Sequence, residues 1–160
     1  MKKLKIYLDT SVVSHLQTED VPEKMTKTLE LWREIKQGFY HIVISELVFD
    51  ELEKCSEPKK SFMLNKLAEI DFDEVEITGE IRELANKYVT EGVFPAKYLD
   101  DALHVACASI SGCNAMVSWN FKHMVKLRTI LAVNGINKYM GYAEIEILTP
   151  EAIVGEEEGL

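Results

Sequence analysis

The chain has 160 residues, 47% of them hydrophobic and 28% charged, which suits one compact domain with a sizeable core and excludes disordered and fibrous classes. Its formal charge of −9, from 27 acidic and 18 basic residues, excludes a protein that coats nucleic acid through a broad basic face. Three cysteines, Cys55, Cys107 and Cys113, are odd in number and lack zinc-ligand spacing, so they read as reduced core thiols.

Lys2 and Lys3 are followed by only a short apolar run ending at Asp9, too short for the core of a signal peptide. The stretch Ala102 to Trp119 is interrupted by His104, several serines, Gly112 and Asn114, so it does not read as a membrane span. The expectation is a soluble, cytoplasmic protein with one domain over residues 1–154. Residues 155–160, with Glu156, Glu157 and Glu158, read as an acidic solvated tail.

In chain order, Lys5 to Leu8 predicts an interior strand that ends at Asp9 and feeds a helix from Ser11 to Leu16, capped by Thr10 or Ser11. Met25, Leu29, Leu31, Trp32 and Ile35 recur at helical spacing from Pro22 to Lys36, with Gly38 as the stop. His41 to Ile44 is a second strand, and Ser45 opens a helix carrying Leu47, Val48, Glu51 and Leu52. Pro58 to Ile70 is amphipathic, Val75 to Ile77 a third strand, and Thr78 caps a helix through about Val89.

Gly92 and Pro95 mark a loop. Asp100 and Asp101 open a small-residue helix that ends near Gly112, and Ala115 to Ser118 is the fourth strand. A helix from about Lys122 to Val133, a turn at Asn134-Gly135, a strand from Glu144 to Leu148 and a short helix start at Thr149-Pro150 complete the pattern. Alternating short strands and helices predict an α/β fold in three layers, a mostly parallel sheet of 4–5 strands between helices.

Asp9 follows the first strand, Glu51 lies about two turns into the helix after the second, and Asp101 opens the helix before the fourth. Ser118 and Asn120 come at that strand's end. All reach one crevice at the carboxyl edge of the sheet if the first and fourth strands are neighbours. Each has a plainer reading. Asp9, Thr10 and Ser11 are all good helix caps, Asn120 is a good turn residue, and Glu46, Asp50 and Glu53 compete with Glu51.

The run Tyr7-Leu8-Asp9-Thr10-Ser11, then Ser45 through Glu51-Leu52, then Asp101 through Ala106, then Val117-Ser118-Trp119-Asn120, resembles the PIN-domain pattern in order and over nearly the whole chain. The resemblance implies a PIN-like fold and points to VapC-like toxins, Mg²⁺-dependent ribonucleases restrained by a small antitoxin. By the same match Asp9, Glu51 and Asp101 are the acidic metal ligands, and Asn120 stands where the family carries Asp or Asn after a small hydroxyl residue, here Ser118. Asp100 is then left as the helix cap.

Clustered carboxylates raise one another's pKa unless a hard cation neutralises them, and Mg²⁺ or Mn²⁺ with few carboxylates, water and substrate phosphate suits that donor set. The implied reaction is hydrolysis of a phosphodiester bond in RNA. The implied catalytic set is Asp9, Glu51, Asp101 and Asn120. Thr10, Ser11, Ser118 and Lys122 are candidates for positioning substrate, with His123, Lys126 and Arg128 placed near Lys122 on the following helix. His104 reads as a core or surface histidine.

The resemblance also implies a homodimer, with no membrane partner. Two other functions fit parts of the sequence. One is a non-catalytic PIN-like interaction module. The other is a haloacid-dehalogenase-like phosphatase with Asp9 as nucleophile, although Ser11 stands where that class needs a second Asp.

Overall fold

The computed structural model describes residues 3–155, so the acidic tail from Glu156 onward lies outside the described residues. Five short strands, β1 (Leu4–Leu8), β2 (Tyr40–Ser45), β3 (Asp73–Val75), β4 (Ala115–Val117) and β5 (Glu146–Leu148), form one sheet. Every pairing is parallel and the order is β3-β2-β1-β4-β5. The chain therefore builds outward from β1 in one direction, then returns to the other side of β1 with β4. That reversal opens a crevice at the carboxyl ends of β1 and β4, where ligands of open parallel sheets bind.

Both faces of the sheet are covered, as its period-two alternation requires. Ile6, Leu8, Ile42, Ile44, Ala115 and Val117 point to one core layer. There they meet the helices α1 (Thr10–Ser14), α2 (Pro22–Lys36), α3 (Glu46–Glu53) and α4 (Lys59–Leu67). Tyr7, Val43, Met116 and Ile147 point to the other layer, against α5 (Gly79–Thr90), α6 (Leu99–Ile110) and α7 (Leu127–Met140). A last short helix, α8 (Pro150–Ile153), is capped by the Thr149 hydroxyl accepting from Ala152 N.

Local chemistry explains where several elements begin and end. Asp9, not Thr10 or Ser11, is the N-cap of α1, accepting from Ser11 N. Neither Thr78 nor Gly38 departs from expectation: the Thr78 hydroxyl caps α5, and Gly38 follows α2 at φ 85°. Ser45 precedes α3 but does not cap it with its side chain, because its hydroxyl is turned to Tyr7. Asp100 is likewise not a cap. It lies exposed in the first turn of α6, whose N-cap position is Tyr98.

Several element boundaries differ from the sequence reading, and two of the differences have a visible local cause. The third strand pairs through Asp73–Val75, and Ile77 leaves the sheet because its N–H donates to Glu46 Oε2 at 2.5 Å. The expected turn at Asn134-Gly135 lies inside α7, which begins at Leu127 and runs on to a left-handed Gly141. Asn134 serves a distant loop instead: its amide accepts from Ile145 N at 2.8 Å and donates to Ile145 O at 2.9 Å. Three residues on, buried Asn137 donates to Ser109 Oγ and accepts from Tyr88 OH, tying α7 to α5 and α6.

Cys107 and Cys113 are buried and free, with burial pushing both thiols up to about 12, and Cys55 is free and half-buried. That is the inert behaviour expected of structural thiols. Among the described residues no helix is long and apolar enough to cross a membrane.

Candidate active site

The crevice is organised around Asp9. It is 3% exposed, and each of its oxygens is held: Oδ1 accepts from Ser11 N at 3.1 Å and Ser11 Oγ at 2.6 Å, and Oδ2 accepts from Ser118 Oγ at 2.6 Å. The pairing of β1 with β4 makes the last contact, since it brings Ser118 beside a residue 109 positions earlier. The Ser118 hydroxyl also accepts from Asn120 N at 2.9 Å, and Trp119 N donates to Ser11 Oγ at 2.9 Å. Loops after β1 and β4 are thus locked into one hydrogen-bonded unit. Burial nevertheless raises the Asp9 carboxyl above 3.8, despite the lowering influence of His104, Ser11 and Ser118.

Glu51 enters from α3. Of its acidic rivals, Glu46 is committed to Ile77, while Asp50 and Glu53 are exposed. Glu51 Oε1 accepts from Thr10 Oγ1 and lies 3.0 Å from His104 Nε2. Burial opposes its charge, but those two partners and Lys54 set it below 4.5.

His104 is the core histidine that the sequence reading allowed, and its partners are residues of the crevice. It lies inside the site, 3% exposed, with Nδ1 2.6 Å from Tyr7 OH, which is 2.8 Å from Ser45 Oγ. Burial works against its charged form. The hydrogen bond to Glu51 and the charges of Glu51, Asp9 and Asp101 outweigh that and hold it above 6.5. When protonated, His104 donates from both nitrogens, to Glu51 and to Tyr7, which leaves the Tyr7 hydroxyl to donate to Ser45.

Asp101 stands half-buried in the first turn of α6. Its carboxyl is raised above 3.8 by burial first and by Asp9 and Glu51 after it, while His104 and His123 act in the other direction. Asn120 Nδ2 reaches toward Asp101 Oδ2 at 3.4 Å, and Asn120 Oδ1 accepts from His123 N at 2.9 Å. Asn120 therefore shapes the turn and faces the third acid at once. Lys122 is exposed, and Lys122, His123 and Lys126 precede α7 rather than lying on it. His123 stacks on Tyr98 with ring centroids 3.9 Å apart.

Asp9, Glu51 and Asp101 consequently share one electrostatic environment, with Thr10, Ser11, Ser118 and Asn120 as their hydrogen-bond partners. Among the described residues no three His, Cys, Asp or Glu side chains form a ready-made metal cage. The available donors are carboxylate oxygens, the hard set that Mg²⁺ and Mn²⁺ prefer over softer ligands. Two raised aspartates next to a third acid are groups that a bound cation would relieve.

Among curated proteins, none matches the chain. A chain of the crystal structure of VapBC2 from Rickettsia felis, bound to a DNA fragment from its promoter, superposes with a TM-score of 0.55 at 15% identity. The alignment covers 91% of this chain and 98% of that one, which establishes a shared fold. The PIN domain model matches residues 6–120, a span that begins in β1 and ends on Asn120. The chain belongs to the PIN-domain family.

Proposed function

We propose that this protein is a divalent-metal-dependent endoribonuclease and the toxin of a toxin–antitoxin pair, held in check by a small protein partner. PIN domains are generally nucleases, and those nucleases typically use divalent metal ions. What supports the reading most is that Asp9, Glu51 and Asp101 all act on the buried His104 beside β1, with the two aspartates raised and the glutamate lowered. The VapBC2 likeness supports the toxin assignment through the shared fold.

Asp9, Glu51 and Asp101 are the residues that would hold Mg²⁺ or Mn²⁺, with Asn120 at the edge of the set. When bound, the ion supplies a water of lowered pKa and polarises the scissile phosphate. The chain's own groups do the rest. Ser11 and Ser118 fix both oxygens of Asp9, so its carboxylate is oriented before any ligand arrives. Thr10 and His104 both bond Glu51 Oε1, and both lower the pKa of that acid. Asn120 orients toward Asp101 and braces the loop that carries Lys122, an exposed cation available to the substrate backbone.

The same contacts weaken the phosphatase alternative. A nucleophilic aspartate of that class needs a second Asp two positions later, and here Ser11 occupies that position and bonds Asp9.

The test is cleavage of single-stranded and structured RNAs in EDTA, then with Mg²⁺ or Mn²⁺ added back, with the product ends identified. Attack by water leaves no 2′,3′-cyclic phosphate. Cutting restored by metal, without cyclic ends, is the expected result. Cutting that persists in EDTA, or cyclic ends, would overturn the reading.

A further inference from the structure

On either side of Asn120 the chain places two aromatic rings that neither core layer uses. Trp119 is 6% exposed and anchored to α2, its Nε1 donating to Thr28 Oγ1 at 2.8 Å. Phe121 is 49% exposed, with its ring centroid 6.1 Å from that of Trp119. The ammonium of Lys24 on α2 lies 5.1 Å from the Phe121 centroid and 5.5 Å from that of Trp119. Together with Lys27 and Val21 they line a groove of about 610 Å³.

The backbone between the two rings ties that groove to the acidic crevice. Trp119 N donates to the Ser11 hydroxyl that holds Asp9, and Asn120, between the two rings in sequence, faces Asp101. We propose that Trp119, Phe121 and Lys24 form a subsite that stacks one unpaired base of a single-stranded RNA substrate beside the phosphate being cut. The proposal rests on the nuclease reading and adds how that site would take its substrate.

The chemistry fits a base better than a length of backbone. Every base has a π-face that an exposed ring can stack on, and a lysine beside the ring can meet the attached phosphate. Glu23 and Glu151 line the same groove and disfavour a run of phosphates lying in it. A chain with net charge −9 has no broad basic face to supply affinity, so stacking next to the crevice would contribute what charge does not.

The experiment compares wild type with Phe121→Ala and Lys24→Met, using short fluorescein-labelled single-stranded oligoribonucleotides and the same oligonucleotides carrying abasic sites. Binding is read in EDTA, and KM and kcat for cleavage in Mg²⁺. Phe121 is exposed, so its replacement leaves the fold intact, which a thermal melt checks.

Phe121→Ala is expected to weaken binding and raise KM roughly five- to 150-fold with little change in kcat. An abasic site weakens wild type at one position and adds nothing in Phe121→Ala. Lys24→Met lowers the salt slope of log K by about 0.7.

If wild type and Phe121→Ala bind and cleave alike, the subsite is overturned while the nuclease stands. The groove then belongs to a protein partner if Phe121→Ala also loses that partner. If wild type neither binds nor cuts any RNA, the nuclease reading fails and the subsite falls with it.

Discussion

Replacing Ser118 with alanine removes one oxygen from the point where the two halves of the sheet meet. The hydroxyl is fully buried, donates to Asp9 Oδ2 at 2.6 Å and accepts from Asn120 N at 2.9 Å. A hydrogen bond to a charged partner contributes about 1.5–3 kcal/mol, and leaving a buried N–H unpaired costs about 1–3 kcal/mol. Both losses arise in one network and are not additive, so the expected destabilisation is about 2–4 kcal/mol.

At roughly 2–4 °C per kcal/mol for a protein of this size, the melting temperature falls by about 5–15 °C. Denaturant unfolding in EDTA, beside the exposed control Ser56→Ala, measures this without interference from metal. Because Ser118 also lowers the Asp9 pKa, the variant should need a higher pH to cleave. A loss below about 1 kcal/mol, or simple additivity with Asp9→Asn in a double-mutant cycle, would refute the reasoning.

Asp9 lies above 3.8 in the fold, so at neutral pH its buried charge opposes folding when no cation is present. Asp9→Asn should therefore gain about 0.5–2 kcal/mol in EDTA. It should also abolish the gain of about 2.7 kcal/mol that Mn²⁺ at 100 times its Kd gives wild type; a melt that is both lower in EDTA and still raised by Mn²⁺ contradicts this.

Glu51, held below 4.5, contributes stability above that value and loses it as pH falls through the folded pKa. His104, held above 6.5, contributes below that value and loses it as pH rises through the folded pKa. The stability difference between wild type and His104→Gln in metal-free buffer should therefore peak between 4.5 and 6.5 and shrink on both sides. A difference independent of pH would count against the pair. Asn134→Ala should cost about 1–2 kcal/mol by removing both bonds to Ile145, with amide exchange at Ile145 accelerated; protection unchanged there would show that α7 does not hold this loop.

Much of the fold was legible because strand and helix periods are local. The runs ending at Leu8, Ile44 and Val117 are apolar, short and followed by helix-forming segments, and the structure has strands at each. The order of those strands is not local information. Nothing within the first ten residues says that Leu8 pairs with Val117, and that single adjacency puts Ser118 on Asp9.

The partners of His104 were hidden for the same reason. A lone histidine on a small-residue helix is ordinary, and its partners Tyr7 and Glu51 lie 97 and 53 residues away. A buried histidine between an acid and a tyrosine becomes visible only after folding. Asn134-Gly135 misled because that dipeptide is a strong local turn signal, while the Asn134 side chain answers to a loop eleven residues later.

The most direct test of the account is RNA cleavage in Mg²⁺ by wild type and by Asp101→Asn purified in parallel. Asp101 is half-buried at the mouth of the crevice, so removing its charge leaves the surrounding hydrogen bonds of Asp9 and Glu51 in place. The account predicts metal-dependent cutting by wild type and its loss in the variant, with both proteins folded. Equal cutting by the two would contradict the carboxylate site.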